Sequence, residues 1–268
     1  MTSQLIYQVD AFTESPFSGN PAGVCILEEE KSDEWMQNVA LEMNLSETAF
    51  LRRQEDGFLL RWFTPALEVD LCGHATLAAS HVLWQEGIIK PDKKIMYFTK
   101  SGPLFASLDR PWIELDFPAE PARKAEDPGG LCQALGISEP VFIGKSRLDY
   151  LVEIKSELEL RHLKPDFRRL VQMTERGVIV TCRSNSPDYD FVSRFFAPAG
   201  GVDEDPVTGS SHCTLGPYWA EKLKKTRLIG YQASARGGMV RVTPAGERVF
   251  LAGKAVTVIR GQLLGGGD

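Results

Sequence analysis

Two short segments, LCGHAT and VTGSSH, each place a glycine, Gly73 and Gly209, where an apolar helix would begin, with polar side chains beside it. A helix N-terminus presents unpaired backbone N–H groups and the positive end of the helix dipole, which together favour an anion. Glycine at that point lets a ligand approach the amides closely. His74 in the first segment and Ser210, followed by Ser211, in the second could therefore flank one small carboxylate-bearing or enolate-forming molecule. Acidic residues supply the remaining candidates. Asp205 ends the run Asp203–Glu204–Asp205 four residues before Gly209, and its loop leads directly into the second helix start; Asp203 and Glu204 read as a solvated, helix-capping loop. Glu47, between Ser46 and Thr48 in SETAF, is by its position alone a surface residue at the start of a strand.

The elements that must position these residues come in duplicate. FLLRWFTPALEVD (Phe58 to Asp70) aligns without gaps to FVSRFFAPAGGVD (Phe191 to Asp203), sharing Phe, Arg, Phe, Pro, Ala, Val and Asp. After three extra residues the offset becomes about 136 and Gly73 falls on Gly209, His74 on Ser210 and Cys72 on Thr208. Each half thus reads strand, proline turn, glycine, buried helix. A period this long excludes a solenoid and indicates a duplicated α/β domain. The plainer reading of the FxxR[WF]F[TA]P part is strand packing and a turn.

Along the chain, QLIYQVDAF and AGVCILEE read as strands joined by the turn cluster SPFSGNPAG; Ser32 or Asp33 caps a helix to Met43; SETAFL and GFLLRWF are strands. His74 to Gln85 is apolar almost all round, so it predicts a helix buried on most sides and ended by Gly87. The Pro/Gly-rich stretch Asp116 to Gly130 predicts a boundary, giving domains 1–118 and 119–268, with the last strand able to pack back on the first domain. Beyond it VFIGK, YLVEI, GVIVTC and YDFVSRFF are strand-like, a helix starts near Gly209, and strands follow near Leu228 to Gln232, Met239 to Thr243, Arg248 to Leu251 and Val256 to Ile259. The tail LLGGGD reads as loose.

Composition closes off several functions. With 30 basic and 36 acidic side chains, a net charge of -6 and no Lys/Arg stripe, nucleic acid is not an expected partner. No apolar run reaches the roughly 20 residues of a membrane helix, and the N-terminus has no signal-like pattern, so a cytoplasmic location is the default expectation. Cys25, Cys72, Cys132, Cys182 and Cys213 show neither CxxC nor zinc-type spacing, predicting reduced thiols and no metal. GxGxxG, GK[ST] and GxSxG are absent, and Gly200–Gly201 and Gly237–Gly238 read as turns. His81, His162 and His212 read as packing or surface residues. A two-thiol racemase would need a second cysteine opposite Cys72, but Thr208 occupies that place, and Cys213 lies roughly 6 Å further along the helix.

The ordered set VDAFT, PFSGNPAGV, MNLSETAF, RWFTPALEVDLCGHATLA and RFFAPAGGVDEDPVTGSSH resembles the PhzF (phenazine biosynthesis-like) family over essentially the whole chain. The resemblance implies a diaminopimelate epimerase-like α/β (α+β) fold: two pseudo-symmetric domains, each a curved, mostly antiparallel sheet or barrel around a central helix, with the active site in the cleft between them, commonly in a homodimer. It also implies a cofactor-independent isomerase acting on a small carboxylate, with Glu47, His74, Asp205 and Ser210 as catalytic residues and Gly73, Gly209, Ser46, Asn20 and Ser211 around the substrate. It raises Glu47 from a surface residue to the expected proton carrier. The best-understood member type isomerises trans-2,3-dihydro-3-hydroxyanthranilate; the motifs mark the chemistry rather than the substrate. The alternative is a member that keeps the pocket without turnover, binding a small ligand or a protein partner.

Overall fold

In the computed structural model, which describes residues 4–264, the chain forms two compact units: one runs to Asp116 and takes up the chain again from Ala252, and the other is Phe117–Leu251. The tail LLGGGD lies largely outside the described residues.

In the first unit the elements are β1 (Gln4–Ala11), β2 (Asn20–Leu27), α1 (Asp33–Met43), β3 (Glu47–Gln54), β4 (Gly57–Phe63), the two-residue β5 (Glu68–Val69), α2 (Gly73–Gln85), β6 (Ile95–Thr99), β7 (Gly102–Asp109) and β8 (Trp112–Pro118). The strand Ala255–Leu263 returns to pair antiparallel with β1. β1 pairs antiparallel with β2, β2 parallel with β3, β3 antiparallel with β4, β4 parallel with β6, and β6 antiparallel with β7, which pairs with β8. The apolar sequence of α2 finds its explanation here: the helix packs on β1, β2, β3 and the returning strand, and its residues from His74 to Ser80 are all buried. α1 instead has one apolar stripe, with Met36, Val39 and Ala40 packed on Ile6, Leu27 and Phe50. Ser32 caps it by accepting the Trp35 N–H at 3.2 Å. The turn before β2 depends on Gly19, whose φ of +65° is left-handed and whose missing Cβ would lie 2.1 Å from the Ala11 carbonyl oxygen.

The second unit runs through β9 (Arg123–Lys124), α3 (Leu131–Leu135), β10 (Phe142–Lys145), β11 (Asp149–Glu153), α4 (Glu157–His162), α5 (Phe167–Leu170), β12 (Gly177–Arg183), β13 (Phe191–Phe196), α6 (Gly209–Leu223), β14 (Leu228–Gln232), β15 (Gly238–Ala245) and β16 (Arg248–Gly253, its end in the first unit); the returning strand is β17. From β10 to β15 the pairings run antiparallel, parallel, antiparallel, parallel, antiparallel. That is the order found from β1 to β7 when the short β5 is left aside, and in both units the axial helix follows the fourth strand. The duplication is therefore one of topology as well as sequence. α6 approaches β15 closely because Gly216 has no Cβ, which would sit 2.6 Å from Val242 Cγ1. Both units have a mixed α/β architecture, a mostly antiparallel sheet packed on an axial helix.

The repeated arginines explain the shared motif. Arg61 grips Glu68 through Nε and Nη2 at 2.7 and 2.8 Å, and its guanidinium lies 5.1 Å from the Phe63 ring. Arg194 grips Glu204 at 2.7 and 2.8 Å and lies 4.7 Å from Phe196. Such bidentate forks on half-buried carboxylates fix the turn after the strand. Glu204 is thus no solvated cap, as its acidic run suggested; it does for the second unit what Glu68 does for the first, and the three extra residues sit between arginine and glutamate rather than after them. Asp203 is exposed. The region 95–118, unassigned from sequence, supplies three strands, and α3, α4 and α5 are too short for a helical period to be visible.

Candidate active site

In the first unit Glu47 opens β3, where its register partner on β2 is Ala22. α2, packed against the same strands, begins at Gly73, with Cys72 as an extended N-cap residue whose side chain does not cap the helix. The consequence is a cluster of three polar side chains: Glu47 Oε2 lies 3.2 Å from His74 Nε2, and Cys72 Sγ lies 3.5 Å from His74 Nδ1. His74 is 5% exposed, and burial pushes its pKa down to about 3, so the imidazole is neutral at pH 7. The contact with Glu47 is therefore not an ion pair of two full charges. Nor is it a well-aligned hydrogen bond, since Nε2 meets the carboxylate off the N–H line. Of the two neutral tautomers, the one with hydrogen on Nε2 suits an ionised Glu47, with the thiol donating to Nδ1; the other would turn a nitrogen lone pair toward the carboxylate.

Glu47, Cys72 and His74 are also donors a soft divalent ion could use, their ligand atoms lying within 4.8 Å of one another. As placed, the carboxylate is the 3.2 Å neighbour of Nε2 and the thiol the 3.5 Å neighbour of Nδ1, and with all three ligand atoms this close together the two groups crowd one side of the ring.

Asn20, at the start of β2 and paired with Ala11, is fully buried, and Ser46 is half-buried in the turn before β3. His81, half-buried, meets Thr257 Oγ1 at 3.2 Å, and exposed His162 meets the Leu158 carbonyl at 2.7 Å. All five cysteines are buried thiols outside any disulfide. Among the described residues no helix is long and apolar enough to cross a membrane.

In the second unit α6 begins at Gly209 with Thr208 in the extended N-cap position, the counterpart of Cys72. Asp205 accepts the Thr208 hydroxyl at 2.5 Å. Gln232, fully buried on β14, accepts the Thr208 N–H at 2.9 Å and donates to the Asp205 carbonyl at 2.7 Å, which clamps the loop. Ser210 Oγ accepts from Arg176 Nη1 at 3.0 Å, and Arg176 in turn is forked onto Asp149. Burial pushes the Asp149 carboxyl upward against the pull of Arg176. Ser211 departs from its expected place beside a substrate: its hydroxyl is fully buried and donates back to the Thr208 carbonyl at 2.8 Å, leaving only its backbone to face the helix start. His212 is a packing residue, bonded through Nδ1 to the Thr208 carbonyl at 2.8 Å and pushed down to about 4 by burial.

Each unit thus carries a cluster of polar side chains at the start of its axial helix: Glu47, Cys72 and His74 in one, Asp205, Thr208 and Ser210 in the other. Sequence reasoning missed Arg176, Asp149 and Gln232. None lies in a repeated or motif segment, and only the parallel pairing of β11 with β12 and of β13 with β14 brings them to the loop.

The sequence model of the family described as phenazine biosynthesis-like protein matches residues 9–261. A Halalkalibacterium halodurans protein named as an uncharacterized isomerase is 56% identical, the match covering 98% of this chain and all of the relative. A solved PhzF family structure from Enterococcus faecalis superposes with a TM-score of 0.93 at 39% identity, over 98% of this chain and 99% of the other. A hydroxyproline epimerase from Agrobacterium vitis, at 12% identity, TM-score 0.59 and coverage of 97% and 92%, shares the fold. The chain belongs to the phenazine biosynthesis-like (PhzF) family.

Proposed function

We propose that the protein is a cofactor-independent isomerase that moves a proton between atoms of a small carboxylate-bearing molecule, with Glu47 as the proton carrier. The observation that carries this reading is the carboxylate of Glu47 set 3.2 Å from an imidazole that burial keeps neutral, at the start of an axial helix. Glu47 removes a proton from a carbon next to an electron-withdrawing group, the electron pair left on carbon delocalises into that group, and the protonated carboxyl then returns the proton at a second atom of the same molecule. Glu47 acts as the base in its carboxylate form, with the neutral ring of His74 beside it. A helix start such as the one at Gly209, with the hydroxyl of Ser210, offers donors that anchor a carboxylate. Asp205, which holds the Thr208 hydroxyl, keeps or relays a proton on the substrate's polar groups.

The naming of a relative at 56% identity as an isomerase supports the reaction class. The test works whatever the product is: small carboxylates are incubated with the protein in D2O and watched by NMR for deuterium at carbon. Incorporation that depends on Glu47 supports the reading. A ligand that binds tightly yet never exchanges would make the protein a binding member of the family.

A further inference from the structure

The cluster at the start of α6 contains a device that no motif announced. Asp149, 1% exposed, opens β11 and pairs in register with Gly177, so Arg176 stands immediately before β12, beside it. Its guanidinium donates from Nε to Asp149 Oδ1 at 2.8 Å and from Nη2 to Oδ2, lies 5.5 Å from the Phe195 ring, and donates from Nη1 to Ser210 Oγ at 3.0 Å. Asp149 is itself pinned, its N–H donating to Ser146 Oγ at 3.1 Å and its carbonyl accepting from the Ser146 N–H at 2.9 Å.

The hydroxyl of Ser210 has one hydrogen and two lone pairs, whereas arginine has donors only. With a lone pair committed to Arg176, the Ser210 hydrogen must point elsewhere. The neighbouring Ser211 shows the alternative, a hydroxyl turned back onto the Thr208 carbonyl. Ser210 is held by Arg176, whose side chain keeps 32% of its surface open. A buried ion pair adds little to stability, since desolvation offsets much of the attraction; orientation is what it supplies here.

We infer that Arg176, locked by Asp149, is a positioning residue that fixes Ser210 as a hydrogen-bond donor and so makes the start of α6 select a carboxylate over a neutral amide or an ammonium. This rests on the proposed role of Ser210 as a substrate anchor and adds the residue that sets its selectivity. Arg176 acts through Ser210 and is not a catalytic residue.

The test uses benzoate and benzamide, which differ only in the group offered to the helix start, titrated into 15N-labelled full-length protein while the amides of Gly209, Ser210 and Ser211 are followed by NMR. In the unaltered protein benzoate should move these resonances and benzamide should do so far more weakly. Because Arg176→Gln alone would strand a buried carboxylate, the main variant is Asp149→Asn with Arg176→Gln. It should lower benzoate affinity about tenfold or more, the effect of losing one charge-assisted donor, and leave benzamide unchanged. Arg176→Lys, which keeps the charge but cannot hold Asp149 and Ser210 with one fork, should lose part of the preference, and it serves as the test if the double variant does not fold. Wild-type benzoate affinity in a folded variant, or no response of these amides to benzoate in the unaltered protein, overturns the inference. The isomerase reading fails separately, if deuterium incorporation is absent or independent of Glu47.

Discussion

Replacing Glu47 by Gln separates the base from everything else in its cluster. The amide has nearly the same shape, so the close approach of position 47 to His74 Nε2, 3.2 Å in the unaltered protein, should persist. The stability change should stay within about 1 kcal/mol, because no well-aligned hydrogen bond joins Glu47 to His74 and the exchange is nearly isosteric. Catalysis is a different matter. His74 sits at about 3, so at pH 7 only about one molecule in 10⁴ carries an imidazolium, and a ring that resists protonation so strongly is a poorer base than the carboxylate it would replace. With no substitute alongside, the loss should match a full general base, about 10²–10⁴-fold, or about 2.7–5.4 kcal/mol of barrier. The assay compares the rate of deuterium wash-in for the responsive carboxylate with its dissociation constant, for Glu47→Gln and the unaltered protein. Wash-in should fall while binding holds. Unchanged wash-in would refute the assignment and turn attention to Asp205; loss of affinity without loss of turnover would reduce Glu47 to a substrate contact.

His74 and His212 should also make stability fall in acid. Their folded values of about 3 and about 4 lie below the unfolded 6.5, so as pH drops through about 6 to about 4 the unfolded chain takes up protons that the folded one refuses, costing about 1.4 kcal/mol per pH unit for each. Denaturant melts across that range should show it, with His212→Gln keeping about half the slope; a flat profile refutes it. Cys72→Ala should keep most turnover and cost about 1 kcal/mol for the buried sulfur, because no thiol stands at Thr208; complete inactivity in a folded variant would restore thiol chemistry. Gln232→Leu leaves the Thr208 N–H and the Asp205 carbonyl without their partner, at about 1–3 kcal/mol each. The expected drop in Tm is about 4 °C or more by scanning calorimetry, and an unchanged Tm would mean that other groups or water hold the loop.

What was legible in the sequence is what neighbours along the chain decide. The fourth strand of each unit, its arginine, its proline turn and its glycine-led helix all lie within about twenty residues, and their spacing is enforced by local geometry: a strand ends, a turn forms, an all-apolar helix must be enclosed. The duplication followed from those segments, and the family resemblance then singled out Glu47, which position alone left on the surface. Tertiary structure decided what depends on strands meeting across long gaps. The parallel pairing of β2 with β3 and the packing of α2 on both set Glu47 against His74, and the pairing of β11 with β12 set Arg176 between Asp149 and Ser210. The same holds for Glu204, which pattern marked as solvated: its proximity to Arg194 is a property of the folded turn, as is the inward rotation of Ser211 onto Thr208. A side chain's type and spacing determine what it could bond to. Which bond it makes is settled by burial, where a polar group left unpaired is costly enough to choose the partner.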